Sequence, residues 1–436
     1  MINITYIMSG ISMVLKTGPK KFRSTVEYAQ MVIDTVAEFK SFLKFEAMFN
    51  AYAEADLMEQ TLSKFDNFGI TWHADSGGLQ VITLGKTITD ELKDKIYHIQ
   101  AEYSDYAMCF DELPVNVIDY KGNSSRVDLS GRQFIVEWAE PRAIATGKNV
   151  KKQIDVIKKL KSNTKVFLIC QGNNRQDFVK FYDDAMSQIP EEHYPYLAGV
   201  ALSAACTGLG HLEALEMVSS YRFMDIPETM GNKLHILGFG SLKRLYPLLI
   251  LKHTGYITAD ITFDTSSHAM CTLLGETVID GVKKELGKVR TSKSDYVFKY
   301  FYKKYGHIIR KQFPEITAED YLEIVGNDLT SSKKYNLDST RDIQVNLYTR
   351  FLLPYEAYLS FSNDIERTLK EISEGKFTTG MPYYDSLIEV KDEETYLEWY
   401  KKWNRNNQIP SNRIKRIKTF EIAEDNINPL ERFCTL

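Results

Sequence analysis

Six short apolar segments, each ending in a polar residue or a glycine, limit the folds open to this chain more than any other feature. Ile70 to His73 runs into Asp75-Ser76-Gly77-Gly78-Leu79-Gln80, and Tyr106 to Phe110 ends in Asp111-Glu112. Val166 to Cys170 ends in Gln171-Gly172, and Tyr196 to Ala198 enters Gly199-Val200-Ala201. His235 to Leu237 ends in Gly238-Phe239-Gly240, and Ile261 to Phe263 ends in Asp264. Helix-like stretches lie between them at 89–102, 149–160, 176–188, 211–221 and 241–253. Alternation of this kind predicts parallel α/β architecture, and a TIM (β/α)8 barrel would turn every strand end toward one pocket.

Outside this core the texture changes. Residues 25–65 read as mostly helical, from the spacing of Val32, Val36, Phe39, Phe42 and Leu43. The polar stretch 119–131 is long for a connection and reads as a lid or substrate loop. Beyond about residue 280 no further strand with a polar end is evident, and helices are expected at 354–374 and 393–404. The expected organisation is a barrel with insertions over 1–330 and a helical, basic extension over 331–436.

The chain has 436 residues, 44% of them hydrophobic, and a net charge of -4, so nucleic-acid binding would have to come from local basic patches. Five cysteines show no paired spacing, which points to a reducing cytoplasm rather than a disulfide framework. The apolar stretch from Ile4 to Leu15 lacks a basic leader and is broken by Ser9-Gly10, so neither a signal peptide nor a membrane anchor is expected.

Asp75, Asp111 and Asp264 each follow a strand-like segment. An aspartate there can simply cap the next helix. Gathered at one mouth, three carboxylates suit a reaction that develops positive charge, such as glycosyl transfer through an oxocarbenium-like state. One can attack the anomeric carbon, a second can move protons and a third can hold a base or sugar.

The ordered set resembles the tRNA-guanine transglycosylases over roughly residues 70–270. Asp75 to Gln80 is similar to their Asp-Ser-Gly-Gly-aromatic-Gln motif, and Phe110-Asp111-Glu112 to their second aspartate motif. Gln171-Gly172, Gly199-Val200-Ala201, Leu237-Gly238-Phe239-Gly240 and Phe263-Asp264 resemble their later motifs in order. The resemblance implies base exchange by double displacement. Asp264 would be the nucleophile at C1′ of a guanosine-type nucleotide, and Asp75 the general acid/base. Asp111 would accept from N1–H and the 2-amino group of the purine, and Gln171 and the Gly199 backbone would contact O6. Ser76, Leu79, Val200, Leu237 and Gly238 would complete the base slot. No redox cofactor or nucleotide energy is needed. Asp260 lacks the Phe-Asp context.

Three departures set the chain apart from the tRNA enzymes. Their structural zinc cluster, Cys-x-Cys-x2-Cys with a later His, has no counterpart, since Cys434 is the only cysteine after Cys271; no metal is expected there. The residues that sandwich the base are Leu79 and Leu237, which leaves an apolar slot with less stacking. Where bacterial tRNA enzymes carry a Glu that suits an aminomethyl base, this chain has Leu202-Ser203-Ala204-Ala205, which favours an uncharged base such as 7-cyano-7-deazaguanine (preQ0). Together with Asp264-Thr265-Ser266-Ser267-His268, these departures resemble the DpdA-type DNA guanine transglycosylases of bacterial modification islands and phages. That resemblance implies DNA as partner, with further modification proteins and no membrane.

Residues 283–311 interleave lysines, among them Lys293, Lys299, Lys303 and Lys304, with Tyr296, Phe298, Tyr300, Phe301, Tyr302 and Tyr305. Such a segment can neutralise phosphates and stack an unpaired base, or be an amphipathic helix with its aromatics in the core. Arg413, Lys415 and Arg416 add a basic tail. On duplex DNA the target guanine would have to be flipped out, at a cost of a few kcal/mol; loop 119–131, with Arg126 and Arg132 beside it, is one candidate wedge. His73 reads as a packed core residue beside Asp75, Cys109 and Cys170 as buried strand residues, and His268 with Cys271 as too few ligands for a metal. Three readings remain open: a DNA guanine transglycosylase, a divergent tRNA enzyme with the same chemistry, and a catalytically inactive barrel that binds nucleic acid.

Overall fold

The computed structural model describes residues 4–10, 46–60, 70–78, 87–114, 136–203, 210–268, 275–280, 282–286, 290–330, 339–405 and 408–411. Its centre is a closed barrel of parallel strands in sequence order. These are β1 (Ile4–Ser9), β2 (Glu46–Asn50), β3 (Thr71–Asp75), β4 (Tyr106–Met108), β5 (Lys165–Gln171), β6 (Leu197–Ser203), β7 (Lys233–Leu237) and β8 (Asp260–Thr265). The sheet closes where β1 pairs with β8, Tyr6 beside Phe263 and Ile7 beside Asp264. Strands such as β5 and β6 are near-continuous apolar runs because a parallel barrel strand is buried on both faces. The expected TIM-barrel architecture is the one observed.

The surrounding helices are α1 (Ala55–Gln60), α2 (Asp90–Tyr103), α3 (Val136–Leu160), α4 (Arg175–Met186), α5 (His211–Ser220) and α6 (Leu242–His253). Their starts follow local chemistry. The Thr89 hydroxyl accepts from Leu92 N–H at 3.2 Å and the Asn174 side chain from Asp177 N–H at 3.0 Å, each capping an open helix end. Helix α2 also fixes the site. Buried Gln100 donates to the carbonyls of Ala74, at 3.1 Å, and Met108, at 2.8 Å, while Gln153 of α3 donates to its Oε1 at 2.7 Å. The ends of β3 and β4 are thus tied to one helix.

The first two strands correct the sequence reading. Glu46-Ala47-Met48-Phe49-Asn50, inside the stretch expected to be helical, is β2, and a helix follows only at α1. Its centre is buried against β1 and β3, so tertiary pairing overrides local helical spacing. The N-terminal apolar run is likewise a barrel strand, and residues 11–45 lie outside the described set.

Two further strands follow the barrel, the second of them beyond residue 280, where no further strand with a polar end is evident in the sequence. The antiparallel pair β9 (Glu276–Ile279) and β10 (Val282–Glu285) precedes helices α7 (Ser292–Gln312), α8 (Ala318–Thr330), α9 (Thr340–Ser373), α10 (Pro382–Asp385) and α11 (Glu393–Asn404). The expected boundary near 330 falls between α8 and α9, yet α9 covers the barrel seam. Tyr358 donates to the Tyr6 carbonyl at 3.2 Å and stacks on the Tyr6 ring at 4.8 Å, and Tyr6 stacks on Phe263 at 5.1 Å. Helix α11 is anchored to α5 through Tyr396 and Ser219, whose hydroxyls lie 2.7 Å apart, and its Tyr396 and Tyr400 rings flank the guanidinium of Arg175. Among the described residues no helix is long and apolar enough to cross a membrane.

A chain ending at residue 330 is therefore expected to expose Tyr6 and Phe263 and to lose the folded barrel, read as aggregation and loss of near-UV circular dichroism. A soluble, cooperatively unfolding 1–330 fragment would show that α9 is dispensable.

Candidate active site at the C-terminal mouth of the barrel

The mouth is built from strand ends. Asn50, at the end of β2, pairs in register with Asp75, at the end of β3. The Asn50 Oδ1 accepts from Ala53 N–H at 2.8 Å, which turns Nδ2 toward Asp75 Oδ2 at 3.0 Å. The turn after Asp75 is held by Gly77, whose φ of +74° suits glycine; a Cβ there would meet Asn50 Oδ1 at 2.5 Å and Tyr52 Cβ at 2.6 Å. Buried Ser76 accepts from Gly78 N–H at 3.3 Å. Leu79 lies outside the described residues.

After β4 the chain delivers Asp111 to the mouth and turns Glu112 away. Glu112 pairs with Lys93 at 2.6 Å, and its N–H donates to Thr146 at 2.9 Å. Asp111 is buried and accepts from Gln171 Nε2 at 2.5 Å, the last residue of β5. The Gln171 Oε1 is buried without a partner. The Gln171 Nε2 carries a second N–H beyond the one given to Asp111, so the amide keeps a donor suited to a purine O6.

Asp264, near the end of β8, is 13% exposed. Its Oδ1 accepts from Gly238 N–H at 3.2 Å, in the turn after Leu237 of β7, and lies 3.3 Å from His235 Nε2. His235 is fully buried and its Nδ1 is 2.9 Å from the Thr262 hydroxyl. Asp260 is the exposed first residue of the same strand, at the opposite end of the barrel.

Electrostatics separates the carboxylates. Burial, with the charges of Asp264 and Asp111 added, raises Asp75 from 3.8 to about 7. Burial raises Asp111 to about 6, against the lowering effect of the Gln171 hydrogen bond. Asp75 therefore holds or releases a proton near neutral pH, as a general acid/base must.

Below the mouth the barrel interior is polar and aromatic. His73 binds Glu46 at 2.6 Å and stacks on Tyr106 at 5.0 Å, with the His235 ring 6.4 Å away. Burial holds His73 below the usual histidine range, despite the opposing pull of Glu46. It does not touch Asp75 through any described hydrogen bond; it is a core residue whose Nδ1 is unpartnered. His268 turns to the Tyr6 hydroxyl at 2.5 Å, and burial lowers it to about 4. Cys109 and Cys170 are buried, which pushes both thiols up.

The strand ends thus bring Asp75, Ser76, Asp111, Gln171, Leu237, Gly238 and Asp264 together, but not Gly199 and Val200. Ser203, not Gly199, is the β6 residue level with Gln171 and Leu237. Gly199 pairs with Lys233, the first residue of β7, roughly 13 Å lower along the strand. A Cβ there would meet the Lys233 carbonyl oxygen at 1.9 Å, so close strand approach explains this glycine. Asn50 and His235 were not foreseen as site residues. Asn50 lay in a stretch with helical spacing, and His235 alternates with apolar neighbours as any inward-facing strand residue does.

The basic surface divides. Lys293, Lys299 and Lys303 are exposed along α7, but Lys304 is bound to buried Glu356 at 2.6 Å. Phe298, Phe301 and Tyr305 are in the core, whereas Tyr296 is 60% exposed. Tyr296, Lys284 and Lys293 line a cleft of about 500 Å³ between β10 and the start of α7. Arg413, Lys415, Arg416 and loop 119–131 lie outside the described residues. Among the described residues no group of three or more His, Cys, Asp or Glu is placed to hold a metal ion.

No protein-family model and no curated protein matches the chain.

The raised Asp75 carboxyl has a stability signature. Between pH 3.8 and about 7 the folded chain keeps a proton that the unfolded chain has released, so its contribution to stability falls as pH rises through that window. Asp75→Asn is expected to raise the thermal midpoint at pH 8 by roughly 2–4 °C, and the gain should shrink steadily toward pH 5. A midpoint that falls, or a gain independent of pH, would refute the assignment.

Proposed function

We propose that the chain is a DNA guanine transglycosylase that replaces guanine with an uncharged 7-deazaguanine such as preQ0. The observation that carries this reading is the convergence of Asp75, Asp111 and Asp264 at one barrel mouth, with Asp75 raised to about 7. In the first displacement a carboxylate oxygen of Asp264 bonds to C1′ as the bond from C1′ to guanine N9 breaks. The departing base takes the proton of Asp75. In the second, Asp75 removes a proton from N9 of the incoming base, which attacks C1′ and releases the Asp264 carboxylate. Asp111, held by the Gln171 amide, offers carboxylate acceptors to the N–H groups of a guanine edge. All proton transfers stay within these groups and the two bases, so the cycle is balanced without a redox cofactor or nucleotide energy.

One feature favours DNA over tRNA. The chain lacks the Cys-x-Cys-x2-Cys spacing that tRNA enzymes use. The cleft carrying exposed Tyr296 beside Lys284 and Lys293, with Glu285 also in its lining, suits an unpaired base of either nucleic acid. An uncharged base fits because β6 brings Leu202 and Ser203 to the mouth, not an acid.

A base-exchange assay with labelled guanine and preQ0, offering DNA and tRNA side by side, tests this directly. Label is expected to enter DNA, to be lost in Asp264→Ala and to fall about 100-fold or more in Asp75→Asn. Label confined to tRNA would reassign the substrate, and no label in either would remove the enzymatic reading. Lys293→Ala and Lys299→Ala should each weaken DNA binding and lower the slope of log affinity against log salt by about one. An unchanged slope would place the DNA elsewhere.

A further inference from the structure

We infer that His235 is a positioning residue that selects the attacking oxygen of Asp264 and makes that carboxylate the better leaving group. This rests on the reading of Asp264 as the nucleophile. The geometry is specific. Asp264 Oδ1 receives Gly238 N–H at 3.2 Å and lies 3.3 Å from His235 Nε2, while Oδ2 takes no hydrogen bond from the described residues. A nucleophilic carboxylate has no proton to offer, so His235 Nε2 carries the hydrogen. In the neutral ring Nδ1 then accepts from the Thr262 hydroxyl at 2.9 Å. Phe167, with its ring centroid 5.7 Å away, and His73, at 6.4 Å, flank the imidazole and hold its plane.

Two donors on Oδ1 leave Oδ2 as the oxygen that bonds to C1′. In the covalent intermediate Oδ2 is the ester oxygen and Oδ1 its carbonyl. When the incoming base displaces the ester, the bond from C1′ to Oδ2 breaks and its electron pair returns to the carboxylate. The His235 and Gly238 N–H groups stabilise that returning charge. The same donors reduce the basicity of the free carboxylate. Removing one therefore strengthens the nucleophile and weakens the leaving group, so the covalent intermediate should accumulate.

The test compares His235→Leu, which removes the donor, with His235→Gln, which keeps an N–H at similar reach. For His235→Leu we expect kcat about 10–100-fold lower with KM for DNA within about twofold. A larger share of enzyme should be trapped as the protein–DNA adduct. His235→Gln should recover a substantial part of kcat and the adduct level of the parent chain. Nitrogen-15 NMR of the histidine-labelled protein gives a readout independent of activity: His235 should carry its proton on Nε2, and Thr262→Val should disturb that preference. Loss of turnover without adduct accumulation, glutamine no better than leucine in a folded protein, or a proton on Nδ1 would each overturn the inference. If the parent chain exchanges no base at all, the proposed function fails, and the NMR result alone decides whether His235 donates to Asp264.

Discussion

Pairing of β1 with β8 is the constraint on which the rest of the structure depends. It places Ile7 beside Asp264 and turns an open sheet into a barrel whose strand ends face one another. Without closure, Asp75 on β3 and Asp264 on β8 would stand at distant points of a twisted sheet. With closure they share one low-dielectric mouth, where the charge of Asp264 raises the cost of ionising Asp75. The unusual proton affinity of Asp75 is a consequence of topology as much as of its own sequence context. Because α9 covers the β1–β8 seam through Tyr358, the carboxy-terminal part of the chain takes part in positioning the site.

The barrel centre is not an ordinary apolar core. Glu46, His73, Tyr106, His235 and Thr262 place polar groups under the mouth, joined partly by hydrogen bonds and partly by ring stacking. Burying such groups costs stability unless every one is paired, and His73 Nδ1 and Gln171 Oε1 are not. Proteins retain unsatisfied groups of this kind where function needs them, and stability and activity then pull in opposite directions. The Asn50–Asp75, Gln171–Asp111 and His235–Asp264 contacts follow one pattern: each carboxylate has an amide or imidazole neighbour that fixes its orientation.

The sequence made much of this legible. Strands β3, β4, β5, β7 and β8 carry short apolar runs that are followed by Asp, Gln or Gly, and those boundaries locate the mouth. Strands β1 and β2 were hidden for a physical reason: Glu46 to Asn50 is short, and its helical-looking surroundings outweigh local periodicity until β3 pairs with it. Gly199 shows the opposite error. It looks like a ligand-binding glycine in one dimension, but the close approach of Lys233, a contact between strands, demands it. Lys304 resembles its neighbours in the basic run until α9 supplies buried Glu356. Partners distant in sequence decided each of these cases, and composition and spacing are blind to such partners.

The most direct test of the central claim, that Asp264 is a glycosyl nucleophile, is mass spectrometry of peptides from enzyme trapped with DNA in the absence of an incoming base. The account predicts a nucleotide adduct on the peptide containing Asp264, and its disappearance when preQ0 is added before trapping. An adduct on Asp75 or Asp111, or base exchange that proceeds with no covalent species at all, would contradict it.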